Sequence, residues 1–98
     1  MKQEAEFILN HRSEFMKSLK SQFQLIHMSN FFFRDFHYGV MSYLKDHRMK
    51  LSYAAAEGIA VEVGEAFVRD GVFKKIDHQS WLLNYAEFAL PKIEKKAS

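Results

Sequence analysis

Leu51–Asp70 reads LSYAAAEGIAVEVGEAFVRD, and the choice between helix and strand over this stretch decides the fold. Ala56, Ile59, Ala60, Val63 and Phe67 recur at steps of three and four, which places them on one helical face. Val61 and Val68 widen that face, and Glu57, Glu62, Glu65 and Arg69 occupy the remainder. Ser52 is placed to accept from a free backbone N–H at the start, and Gly71 suits the left-handed position just past the end. The competing reading is a strand over Ile59–Val63, fenced by Gly58 and Gly64, with Ile59, Val61 and Val63 on one side. A lone strand needs a partner, and the pattern offers no second convincing one. The stretch therefore reads as the central helix of an all-α domain. Ala56, Ala60 and Gly64, four residues apart, mark where a neighbour packs closely against it. An intrachain contact accounts for this ladder more simply than a contact between protomers, because a small domain must first cover its own central helix.

Reading outward, Ile8, Phe15, Met16, Leu19, Phe23 and Ile26 form an apolar stripe and predict a first helix over residues 3–28. Phe36, Val40, Leu44 and His47 predict a second over residues 31–48. Phe31, Phe32 and Phe33 are consecutive and would spread over about 200° of a helix, more than one stripe can absorb. With Phe36 they are the candidate partner-binding residues, since interfaces are enriched in aromatic side chains. The central helix covers residues 52–70, and residues 71–77 read as a short connector. Asp77 is a good N-cap for a fourth helix over residues 78–90, with Ile76 and Trp81 as a hydrophobic staple. Pro91 would end it, leaving residues 92–98 as a frayed tail. The expected architecture is a compact bundle of about four helices forming a single helical domain over residues 1–98.

Composition bounds the function. The 98 residues are 48% hydrophobic and 27% charged, a globular balance long enough for a real core. There is no Cys, so neither a disulfide framework nor a thiolate site exists. No apolar run reaches the roughly 20 residues that span a bilayer. The opening MKQEAEF lacks the basic-then-apolar order of a secretory signal, so the expected location is cytoplasmic, with no membrane partner. Net charge is only +2, but it is unevenly spread. Residues 1–50 carry net +3, residues 51–70 net −3 and residues 71–98 net +2.

Chemistry-bearing motifs are sparse. His11, His27, His37, His47 and His78 include no pair at the i, i+4 spacing of a helical metal site, and no metal or cofactor is expected. No carboxylate sits in a recognisable constellation with a base or nucleophile, so no enzyme activity is expected. The alternative function is a small DNA-binding regulator with a degenerate helix-turn-helix, its turn near Ala54–Gly58 or Ala60–Gly64. Its recognition helix would be VEVGEAFVRD, which is acidic, or VFKKID, which is short, with Lys74 and Lys75 left to touch phosphate. Nucleic acid is thus an unfavoured partner. The expected function is a non-enzymatic protein-interaction or regulatory module that forms a homodimer through its aromatic-rich surface.

Overall fold

A computed structural model describes residues 2–90. It contains α1 (Gln3–Asn10), α2 (Arg12–Gln22), β1 (Asn30–Phe32), α3 (Phe33–Asp46), α4 (Tyr53–Arg69), β2 (Phe73–Asp77) and β3 (Ser80–Leu83). A single 3-10 turn, Ala86–Phe88, follows. The three strands form an antiparallel sheet in the order β1-β3-β2. Phe31 lies opposite Trp81 on one side, Lys75 lies opposite Trp81 on the other, and a bulge falls between Lys75 and Asp77.

The core lies where the helices meet this sheet. Phe15, Phe36, Phe67 and Phe73 are fully buried. Their rings meet edge to face: Phe36 is 5.3 Å from Phe73, and Phe67 is 5.2 Å from Phe73. Such contacts complement the negative ring face with the positive edge, adding to the burial of large apolar area. One phenylalanine each from α2, α3, α4 and β2 thus ties four elements together.

Central helix α4 forms for the reasons visible in its sequence. Ser52 Oγ accepts from the Ala55 N–H at 3.1 Å, and Gly71 takes φ 81° just past the helix end. Ala56, Ile59, Ala60, Val63, Gly64, Ala66 and Phe67 are its buried residues.

The rest corrects the all-α expectation, and with it the compact helical bundle. Among the described residues the fold is mixed: four helices with a three-stranded antiparallel sheet. The expected helix over 3–28 is two helices, because the chain kinks at His11 (φ −121°, ψ 38°), whose N–H is shared between the Phe7 and Ile8 carbonyls. It ends at Phe23, which turns extended (φ −131°, ψ 156°). The expected helix over 31–48 begins as a strand, because Asn30–Phe32 pairs with β3 before α3 starts. The connector at 71–77 contains β2, and the expected helix over 78–90 is β3 plus the 3-10 turn.

The reason is local. Asp77 Oδ1 does accept from nearby groups, but they are the Gln79 N–H and the Ser80 hydroxyl, each at 2.9 Å. The same side-chain chemistry that caps a helix here closes a hairpin turn. The proposed Ile76–Trp81 staple is also replaced: Ile76 is exposed, and Trp81 stacks on Phe73 at 4.6 Å. Pro91 and the tail at 92–98 lie outside the described residues.

Candidate functional site

Helix α4 and the β2–β3 hairpin face each other across a groove. Its floor is set by Gly64 and Trp81. A Cβ added at Gly64 would stand 2.9 Å from Trp81 Cζ2, so the indole lies directly on the helix backbone. Phe36 and Phe33 hold that indole from other sides, at ring distances of 5.2 Å and 5.9 Å. Trp81 is the only tryptophan in the chain.

The groove comprises two adjoining clefts of about 510 and 550 Å³ that share Phe33 and Glu57. The larger runs along α4 past Val61, Gly64 and Val68 to Arg69, with Lys75 and Asp77 on the hairpin side. The smaller lies at the start of α3 and α4, between Phe32, His37 and Tyr53.

Specific hydrogen bonds hold these walls in place. The Phe33 N–H donates to the Gln79 carbonyl at 2.8 Å, tying the start of α3 to the hairpin turn. His37, only 2% exposed, donates from Nε2 to the Tyr53 carbonyl at 2.9 Å. A carbonyl can only accept, so this bond assigns the proton to Nε2. The His37 and Tyr53 rings also lie 4.2 Å apart, pinning α3 to the first turn of α4. Asp77 is fixed by its own turn, and the Gln79 N–H, followed by the Ser80 hydroxyl, holds its carboxyl below the usual aspartate range.

Charge around the groove is uneven. Glu57 and Glu65 on α4 are exposed. Among the described residues the ion pairs within 4.0 Å are Arg12–Asp70 and His47–Glu14, both at 3.8 Å, so neither groove glutamate is paired.

The sequence-designated residues separate into two groups. Phe31 and Phe36 lie in the chain's own interior, at 4% and 0% exposure. Phe32 is 53% exposed, and it and Phe33 line the smaller cleft. Ala56, Ala60 and Gly64 are all buried on α4, and Gly64 lies against Trp81 of the hairpin.

Two features carried no usable sequence signal. One is the groove itself, which needs the hairpin. The other lies at the far end of the helices, where the Tyr43 hydroxyl donates to Glu14 Oε1 at 2.6 Å and His47 Nε2 sits 3.8 Å from the same oxygen. Burial, reinforced by the Glu14 carboxylate, pushes the Tyr43 hydroxyl well above the ordinary tyrosine value. Among the described residues no group of three or more His, Asp or Glu is placed to hold a metal ion, and no helix is long and apolar enough to cross a membrane.

No family model matches the chain, and no curated protein or solved structure matches it.

Proposed function

We propose that this chain is a non-enzymatic protein-binding module that self-associates through a rim formed by exposed Phe32 and half-buried Phe33. The observation that carries the reading is a groove with an apolar floor and a rim of charged side chains, among them Glu57 and Glu65, which have no ion pair among the described residues, with a large exposed aromatic, Phe32, beside it. Apolar surface rimmed by polar groups is what protein interfaces use. Two mutually facing Phe32–Phe33 rims would bury the same patch on both copies, which a two-fold dimer requires. Sedimentation at tens of micromolar tests it. The wild-type chain should be dimeric, and Phe32→Asp should give a folded monomer. A wild-type monomer at that concentration would remove the self-association.

The DNA-binding reading takes a new form in the structure. Helices α3 and α4, joined through residues 47–52 and followed by the β2–β3 hairpin, have the layout of a helix-turn-helix with a hairpin wing. The turn thus falls before α4 rather than within it, and α4 occupies the recognition position. Its exposed positions include Ala54, Ala55, Glu57, Gly58, Val61 and Glu65, with no cation before Arg69. Carboxylates facing a polyanion oppose association, and none of these groups supplies the phosphate contacts on which duplex affinity depends. The charge of α4 therefore favours a polypeptide over a duplex.

A further inference from the structure

We infer that the groove between α4 and the β2–β3 hairpin takes a cationic amphipathic helix from another protein, one whose central apolar residue is bracketed by Lys or Arg. This rests on the protein-binding reading above, but it concerns the larger cleft, which shares Phe33 but not Phe32 with the self-association rim, and a different partner from a second copy.

Three observations converge on this occupant. The first is shape. The larger cleft follows α4 from Glu57 to Arg69, a length of about 18 Å at 1.5 Å per residue. A trough of that length running beside a helix suits three turns of a second helix packed ridge into groove. The second is the apolar line. Val61 is 43% exposed at the middle of the trough, and Val68, Trp81 and Phe33 form the adjoining floor and wall. The third is charge. Glu57 and Glu65 stand four residues before and four after Val61, about 12 Å apart. Both are exposed, and neither has a cation within 4.0 Å among the described residues.

An apolar residue lodged at Val61 would thus have a carboxylate on each side. A helix repeats its own side chains with the same rise, so Lys or Arg four residues before and after its anchor would meet Glu57 and Glu65 in register. Asp77 keeps its negative charge on the hairpin wall, since its turn hydrogen bonds come from neutral donors, and it adds to the pull on a cationic occupant. Arg69 lies at the far end of the cleft, past Val68, whereas Lys75 lies opposite Trp81 on the hairpin wall. Arg69 therefore bounds the cationic part of the occupant at that end.

The experiment uses the full chain and two synthetic capped helices that share one leucine face and lack aromatic residues. One carries Lys at the two bracketing positions, and the other carries Glu there. Trp81 fluorescence reports groove occupancy, because it is the only tryptophan and lies in the groove floor. At physiological salt the Lys peptide should bind about tenfold tighter than the Glu peptide, the sum of two modest charge pairs and the loss of two repulsions. Glu57→Lys/Glu65→Lys should invert the preference, with the unchanged melting temperature expected for exposed positions. Glu6→Lys/Asp46→Lys, which alters net charge equally but away from the groove, should leave it intact. Equal binding of both peptides, or a preference that survives the Glu57/Glu65 reversal, overturns the inference while leaving a polypeptide groove. No response of Trp81 to either peptide overturns the inference and the assignment of any protein-binding role to the groove, whereas the Phe32 rim stands or falls by sedimentation.

Discussion

Replacing Gly64 with Ala probes the contact on which the groove is built. In the interior of a helix the change gains about 1 kcal/mol of propensity. Against that stands Trp81, whose Cζ2 would lie 2.9 Å and Cη2 3.3 Å from the new Cβ. The indole has little room to retreat, because it stacks on Phe73 at 4.6 Å and meets Phe36 at 5.2 Å. Overpacking of a filled interior costs about 1–3 kcal/mol. The net expectation for Gly64→Ala is between neutral and about 2 kcal/mol destabilising. Gly58→Ala is the internal control: it lies six residues earlier in the same helix, and nothing comes within 4 Å of its added Cβ. It should stabilise by about 1 kcal/mol, the propensity gain alone. The two variants should then differ by about 1–3 kcal/mol, or at least about 4 °C in melting temperature for a domain of this size. Thermal denaturation followed by circular dichroism measures the difference directly. Equal increases in melting temperature for both variants would refute the seating of Trp81 on α4.

Other consequences are as specific. Phe73→Ala should destabilise by about 3–5 kcal/mol in urea denaturation, because the ring is fully buried and touches aromatic partners from α3, α4 and β3. The hydroxyl of Tyr43 titrates above its ordinary value of 10.0, so its stabilising effect is complete below that pH and is lost as pH rises toward the folded-state value. Tyr43→Phe should therefore flatten the alkaline limb of a stability–pH profile. Asp77 behaves oppositely: its lowered carboxyl stabilises above its ordinary 3.8, and the effect disappears as pH falls through the folded-state value. Asp77→Ala should flatten the acid limb, and an unchanged limb would show that its two turn hydrogen bonds carry no stability.

What could be read in advance tracks how each element is stabilised. Helix α4 was legible because its signals are local and redundant: five apolar residues in period, a Ser52 cap that forms as expected, and Gly71 where a positive φ is needed. Helix α3 was legible for the same periodic reason, through Phe36, Val40 and Leu44. The sheet was not legible, because its strands are three to five residues long and its signals are shared with helices. Asp77 serves a cap or a turn equally well, and the two-residue loop at His78–Gln79 has no Gly or Asn to announce a hairpin. Positive φ at Met28 (70°) and Arg48 (64°), on either side of α3, is likewise invisible in residues that seldom adopt it. Of the candidate partner residues, Phe32 and Phe33 remain at the surface, whereas Phe31 and Phe36 are taken into the interior by β1 pairing and by the α3 register. Surplus aromatic content was visible in composition, but which rings the sheet would cover was not.

The most direct test of the central claim, that the α4–hairpin face receives polypeptide rather than nucleic acid, is a competition read by Trp81 fluorescence at physiological salt. The Lys-bracketed helix should change the emission saturably, and a duplex DNA added to the complex should neither displace it nor alter Trp81 on its own. A duplex that binds with sub-micromolar affinity, displaces the peptide and loses its affinity on Lys74→Glu/Lys75→Glu would contradict the account.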